Sequence, residues 1–285
     1  MTDLVLGTAQ FGSGYGVTNT VGRLSDESVA SIVARALDGG VRVFDTAAGY
    51  GDAERRLGAT LESTAHAGVI TKFALPPEGE PVTAAALFED SLGRLGISEL
   101  SGLLLHDMRN LVDPRWLHSL DIVREGRADG RVSRIGVSIY DVDDLERALE
   151  MFPDLDLVQV PGSVLDRRLL DSPVLAEIHD AGIEVHLRSV FLQGILLADP
   201  LGLDQRFAPL VPHLLELRAT ASSAGIPVAE LVVQQVRDHP VADALVVGAT
   251  SVDELGQILS AFSGETREQL DAPRVPTALI DPRRW

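Results

Sequence analysis

Short apolar runs rich in β-branched residues alternate with amphipathic helical patterns from one end of this sequence to the other, and no other feature limits its fold as strongly. The spacing predicts strands over 4–8, 41–45, 69–73, 102–106, 135–140, 157–160, 183–189 and 244–248. Their near-continuous apolar character, as in Leu103, Leu104 and Leu105, marks strands covered on both faces, which is the parallel arrangement. After the first of them, Val29, Ile32, Val33, Ala36 and Leu37 recur at helical spacing behind Ser25, an N-cap followed by Asp26 and Glu27, and Gly39-Gly40 ends the run. The same reading predicts helices over 83–95, 114–124, 142–152, 172–181, 207–223, 228–237 and 252–262. An alternation that crosses all 285 residues without a linker or a shift in composition argues one domain over 1–285, an α/β fold of the single (β/α)8 TIM barrel type. An open doubly wound sheet is the alternative.

Charge and residue choice narrow the partners. Lys and Arg number 24 against 42 Asp and Glu, a formal charge of −18, so the surface repels a phosphate backbone and no nucleic acid is expected. With no cysteine there is no disulfide, thiolate nucleophile, iron–sulfur cluster or sulfur-ligated zinc. His66, His118, His179, His186, His213 and His239 lack ligand-type spacing, so no metal is expected, although His186 sits on the seventh predicted strand. No apolar run is long enough to span a bilayer, and the first residues lack a secretory stretch. A cytoplasmic protein free of membranes is the expectation. No heptad seam suggests assembly, so a monomer is the default and a dimer through a helix face the alternative.

Barrel enzymes place their chemistry at the C-terminal ends of the strands. Two glycine-bearing stretches follow such ends, 10–23 and 193–204, and both are expected to be active-site loops. Gly12-Ser13-Gly14-Tyr15-Gly16 lacks the spacing and the lysine of nucleotide-binding loops and reads as a flap. Four ionisable residues end or follow three consecutive strands: Asp45, Tyr50, Lys72 and His106. Lys72 is the only lysine in a chain with 23 arginines. A phenol with a reference pKa of about 10 is a poor acid at neutral pH unless positive charge favours its phenolate. Lys72 would supply that charge, Asp45 would hold the ammonium, and His106 would orient a carbonyl oxygen.

Leu6-Gly7-Thr8, Phe44-Asp45-Thr46-Ala47 with Tyr50-Gly51, Glu54 with Leu57-Gly58, Thr71-Lys72, Leu104-Leu105-His106-Asp107, Gly136-Val137-Ser138 and Val158-Gln159-Val160 together resemble the aldo-keto reductase family in order and spacing, over nearly the whole length. The resemblance implies that Asp45, Tyr50, Lys72 and His106 form a catalytic tetrad with Tyr50 as proton donor. It implies hydride transfer between NADP(H) or NAD(H) and a carbonyl, with the cofactor extended across the barrel mouth. Gly7, Thr8, Ser138, Gln159, Arg188, Ser189, Leu192, Gly194, Gly248, Thr250, Glu254 and Gln257 are the matching cofactor positions. Among these, Ser138 and Gln159 fall at the nicotinamide carboxamide, Ser189, Leu192 and Gly194 at the pyrophosphate, and 248–250 at the adenosine end. The chain departs from the family where Ile139 replaces Asn or Arg, and where Arg188 replaces the Trp or Tyr that stacks on the nicotinamide. It departs again where Gly248 and Glu254 replace basic residues at the 2′-phosphate, and where Gln257-Ile258 replaces a Glu-Asn pair. Arg206 is the one cation the sequence offers to a 2′-phosphate, so the choice between cofactors stays open.

For the substrate, Arg109, Arg167, Arg168 and Arg188 follow or end strands near the mouth, and Tyr15, Tyr140 and Trp285 supply aromatic walls. A small carbonyl or alcohol is expected, sugar-like or anionic, with guanidinium groups on its acidic part. The competing reading pairs these arginines with Asp107, Asp166, Asp171 or Glu184. The 283–285 tail either folds over the mouth or frays. Two other functions use the same residues: a Schiff base on Lys72, against which Asp45 argues by keeping the amine protonated, and a barrel that binds a ligand without turning it over.

Overall fold

A computed structural model describes residues 2–61, 67–73, 83–107, 113–266, 270, 273 and 275–285. Eight strands, β1 Asp3–Gly7, β2 Val43–Asp45, β3 Gly68–Phe73, β4 Gly102–Leu105, β5 Ile135–Ser138, β6 Leu157–Pro161, β7 Glu184–Arg188 and β8 Ala244–Gly248, close into a barrel in chain order. Every neighbouring pair is parallel, and β8 returns to β1 with Gly248 opposite Gly7. That closing ladder rules out the open sheet.

Around the barrel lie α1 Ala9–Gly12, α2 Asp26–Asp38, α3 Ala53–Leu61, α4 Ala84–Leu95, α5 Pro114–Ala128, α6 Val142–Met151, α7 Pro173–Asp180, α8 Val211–Ala224, α9 Val228–Arg237, α10 Val252–Ser263 and α11 Thr277–Ile280. Side-chain caps at Ser25, Thr83, Asp141 and Ser251 start α2, α4, α6 and α10, satisfying amide donors that the first helical turn leaves over. Among the described residues no helix is long and apolar enough to cross a membrane, and no group of three His, Asp or Glu is placed to hold a metal.

The strand alternation divides the side chains between two environments. One set packs with the helices into the large outer core. The other faces the barrel axis, where Val5, Val43, Ala244 and Val246 make one apolar cluster and Ile70, Leu104 and Leu157 another. Two residues further along each strand the same face carries Asp45, Lys72, Ser138, Gln159 and Arg188. The barrel thus changes from an oily plug to a polar mouth within one step of the pleat.

Several elements depart from the sequence reading, among them the short helices α1 and α11, which it does not contain. Helix α3 was not expected, because its buried face carries Glu54 and Arg56 beside Ala53, Leu57 and Leu61, which blurs the apolar period. The helix expected over 207–223 instead begins as a 3₁₀ segment, Gln205–Leu210, and becomes α-helical only at Val211. Pro209 and Pro212 lack the N–H that a continuous α-helix requires there.

Candidate active site

Three consecutive strand ends bring Asp45, Lys72 and His106 together, and the loop after β2 swings Tyr50 above them. The Lys72 ammonium is completely buried and lies 2.5 Å from Asp45 Oδ1, while also donating to the Thr46 carbonyl at 2.9 Å. The second oxygen of Asp45 accepts from Gln159 Nε2 at 2.8 Å. Lys72 Nζ lies 5.3 Å from the centre of the Tyr50 ring, and the His106 imidazole meets that ring edge-on at 5.5 Å. Burial pulls the Lys72 ammonium below the usual lysine range, and the Asp45 carboxylate opposes that shift. Burial, then the charges of Lys72 and Arg188, push His106 down to about 4, so its ring is neutral at physiological pH.

Tyr50 differs from the sequence expectation. Its hydroxyl is raised above the usual phenol range, first by burial and then by the Asp45 carboxylate, and Arg188 is the cation that opposes the rise. Burial is the main cause, and the short ion pair removes the expected counterweight: with Asp45 at 2.5 Å, Lys72 presents Tyr50 with a nearly neutral couple instead of a bare positive charge.

Close backbone packing fixes the Tyr50 loop. The Ala48 amide donates to the Lys72 carbonyl at 2.9 Å, and the Thr8 amide donates to the Asp45 carbonyl at the same distance. A Cβ on Gly12 would fall 1.5 Å from the Tyr50 carbonyl oxygen, and one on Gly51, whose φ is +61°, would fall 2.8 Å from the Gly12 carbonyl oxygen. Only hydrogen atoms fit at this crossing of α1 and the loop. Behind it, buried Glu54 accepts from Thr71 Oγ1 at 2.6 Å and from Arg94 Nε at 2.7 Å, clamping β3 beside Lys72. Arg56 donates to the carbonyls of Phe11 and Leu24 and pairs with Asp26.

A cleft of about 1080 Å³, open solvent included, runs from this group toward β7 and β8. Of the expected cofactor positions, Gly7, Thr8, Gln159, Arg188, Ser189, Gly194, Gly248, Thr250 and Glu254 line it. Ser138 is buried behind it and accepts from Arg188 Nε at 3.3 Å. Leu192 is packed into the core, and Gln257 is exposed on α10 away from the lining. The backbone at Ser189, Leu192 and Gln193 takes positive φ, a cost of about 1–3 kcal/mol each that folds tolerate mainly around ligand sites. Over this segment lies the glycine-bearing loop, where Thr18 Oγ1 reaches the Gln193 carbonyl at 3.5 Å.

The donor set fits a nicotinamide dinucleotide. Gln159 Oε1 is buried and lacks a hydrogen-bond partner, while the bond to Asp45 fixes which end of the amide faces outward. It offers an acceptor suited to a carboxamide N–H. At the β8 side Glu254 Oε2 accepts from the Thr250 amide and hydroxyl at 2.7 and 2.8 Å, so the N-terminus of α10 already holds an anion. Arg206 stays outside the lining, stacked on Phe207 and 3.7 Å from Asp204.

The expected substrate residues divide. Tyr15 lines the cleft with about two-fifths of its surface exposed. Arg167 is tied to Asp171 at 2.6 Å, and Arg168 to Asp166 at 2.7 Å and Asp281 at 3.4 Å; both follow the pairing reading. Arg109 lies outside the described residues. Tyr140 lies against two guanidinium groups, those of Arg188 at 4.2 Å and Arg283 at 4.6 Å. The tail is pinned: Arg283 holds Asp281 and Asp141, and Trp285 meets the Phe207 ring edge-on at 5.2 Å. His186, facing the barrel axis, pairs with Glu184 at 2.6 Å.

Comparisons with known proteins agree with this geometry. The model of the aldo/keto reductase family matches residues 3–272. A curated D-threo-aldose 1-dehydrogenase from a Pseudomonas species is 27% identical, over 93% of this chain and 94% of its own length. An aldo-keto reductase from Mycobacterium sp. (strain KMS) is 32% identical over 61% of this chain and 63% of its own. Among solved structures, the holo form of an aldo-keto reductase from Bacillus halodurans has a TM-score of 0.73 at 20% identity, covering 98% of this chain and 89% of that one. An aldo/keto reductase from Klebsiella pneumoniae, in complex with NADP and acetate, has a TM-score of 0.70 at 21% identity, covering 92% and 86%. At these identities the two structures speak for the fold.

Proposed function

The chain belongs to the aldo/keto reductase family, an NAD(P)-dependent carbonyl oxidoreductase, and from that premise we propose that Tyr50 delivers the proton when a small aldehyde or ketone is reduced, and takes it back in the reverse reaction. The observation that carries this reading is the buried Lys72–Asp45 pair lying beneath the Tyr50 ring, with neutral His106 at its edge. The nicotinamide supplies the hydride, or accepts it. Gln159 and Ser138 would hold its carboxamide, and the backbone of 189–194 its diphosphate.

The raised phenol suits this role. Burial keeps the proton on Tyr50 in the resting site, yet a phenol remains a stronger acid than an alcohol, whose O–H is about as weak an acid as water. The proton therefore leaves Tyr50 only when an alkoxide forms. His106, neutral and able to donate one N–H, holds the carbonyl oxygen toward that hydroxyl without competing for its proton. Lys72 and Asp45 fix the floor beneath the ring, and Arg188 is the cation that favours the phenolate left behind by proton loss. The anion already seated at the α10 N-terminus repels a 2′-phosphate, so NAD(H) is the cofactor this cleft favours. The relative named as a D-threo-aldose 1-dehydrogenase supports a sugar-like skeleton for the substrate.

The test is a fluorescence titration with NADH and NADPH, followed by turnover of small aldehydes by the wild type and Tyr50→Phe. We expect Tyr50→Phe to lose about 10²- to 10⁴-fold in kcat while cofactor affinity changes by less than about twofold. Unchanged turnover removes Tyr50 from the mechanism, and no binding of either nucleotide removes the reading as a whole.

A further inference from the structure

Among the described residues lining the cleft Arg188 is the one cation, and it shares the cleft with Tyr50, Asp45 and Gln159. Among the described residues it has no carboxylate partner. This sets it apart from Arg167 and Arg168, whose charges are cancelled by Asp171, Asp166 and Asp281, in a protein of net charge −18 with acidic groups in excess.

The guanidinium is held in place by neutral groups. Nε donates to Ser138 Oγ at 3.3 Å, Nη1 to Ser189 Oγ at 3.3 Å and Nη2 to the Ile139 carbonyl at 2.9 Å, and the plane lies 4.2 Å from the centre of the Tyr140 ring. A guanidinium has five N–H groups. Three are used, and one on each terminal nitrogen is left over. A charge kept on the wall of a cleft, fixed by stacking and by three bonds that leave it uncancelled, with a donor spare on each terminal nitrogen, is organised to receive an anion bidentately. On the β8 side of the same cleft Glu254 presents the opposite charge, so an anionic group is directed to the Arg188 side.

We propose that Arg188 binds a carboxylate carried by the carbonyl substrate, so that this enzyme acts on small oxo-acids or sugar acids in preference to neutral carbonyl compounds. The assignment rests on the oxidoreductase reading for its turnover but not for its binding. The same N–H groups would also suit the cofactor, through a phosphate or through the nicotinamide that the family stacks at this position, and the experiment separates substrate from cofactor.

The probes are 4-formylbenzoate and 4-formylbenzamide, which share shape and reactivity and differ in charge. At saturating cofactor, wild-type kcat/KM is expected to favour the carboxylate at least about tenfold, a difference of about 1.4 kcal/mol. In Arg188→Gln the ratio of the two substrates should fall to about one or below, whatever the absolute activity, and Arg188→Lys should retain part of the preference because it keeps the charge and loses the fork. A wild-type ratio near one overturns the proposal. So does a ratio that survives in Arg188→Gln. If Arg188→Gln weakens cofactor binding and leaves the substrate ratio unchanged, the guanidinium serves the cofactor and the proposal is again overturned. A second readout needs no turnover: in calorimetric titrations of the protein, both with and without cofactor, 4-(hydroxymethyl)benzoate should bind the wild type more tightly than 4-(hydroxymethyl)benzamide, with the difference lost in Arg188→Gln. Should neither aldehyde be reduced with either cofactor, the oxidoreductase reading fails, and the titration alone decides the anion site.

Discussion

The two sides of the barrel mouth are built on opposite principles. On the β2–β4 side the buried charges of the described residues are cancelled within the protein: Lys72 by Asp45, Glu54 by Arg94, Arg56 by Asp26, and backbone packs so closely that Gly12 and Gly51 admit no side chain. On the β6–β8 side, among the described residues, Arg188 is uncancelled, Gln159 Oε1 lacks a partner, and the backbone at Ser189, Leu192 and Gln193 sits in unfavourable torsions. One side is finished before any ligand arrives; the other is completed by what it binds. On the proposed reading, proton transfer, which requires fixed geometry, belongs to the first side, and recognition, which requires unmet demand, to the second.

The sharpest way to break the finished side is Lys72→Met, which leaves the Asp45 carboxylate buried without its cation. We expect a loss of about 3–5 kcal/mol in urea denaturation together with loss of turnover, and recovery of most of the stability, with none of the turnover, in the Asp45→Asn/Lys72→Met double variant. If the double variant is no more stable than the single one, the pair is not what holds this side together. Next comes Gly12→Ala, whose methyl would collide with the Tyr50 carbonyl. It should cost about 1–3 kcal/mol and lower kcat more than KM rises, because the loop moves and the cleft does not.

On the open side the effects are smaller. Glu254→Gln removes the carboxylate but can still accept from Thr250, and should narrow the ratio of NADPH to NADH dissociation constants by about three- to tenfold, the gap closing as salt is raised. The smallest expected effect is an absence of one. His106, lowered to about 4 by burial and neighbouring cations, loses its proton well below neutrality, and Tyr50, raised by burial and Asp45, keeps its proton well above it. Neither group titrates from about pH 6 to 9, so kcat/KM for reduction should be flat across that window. A bell centred near pH 7 would mean that the proton donor is another group.

Legibility in the sequence divides along the same line. The strands were readable because burial on both faces writes unbroken apolar runs, and Asp45, Lys72 and His106 because polar residues interrupt such runs only where the barrel opens. Helix α3 was hidden, since Glu54 and Arg56 do from its inner face what apolar residues do elsewhere. Gln159 was visible as one polar residue within Val158-Gln159-Val160, but its bond to Asp45 spans 114 positions and no local pattern encodes it. The same holds for the contact of Thr18 with Gln193 across 175 positions. Arg188 was one of four candidate arginines, and only the fold showed that Asp171, Asp166 and Asp281 neutralise two of the others while leaving it charged.

The lone lysine has a further consequence for anyone handling the molecule. Because Lys72 carries the only side-chain primary amine and is completely enclosed, acylating reagents and amine cross-linkers find no lysine on its surface, and immobilisation through lysine will fail. The same fact turns the protein into its own reporter. A sample grown on isotopically labelled lysine carries the label at one residue, and that residue sits beneath the Tyr50 ring, so a single resonance will follow its ionisation, its pairing with Asp45 and the arrival of ligand without a probe being attached.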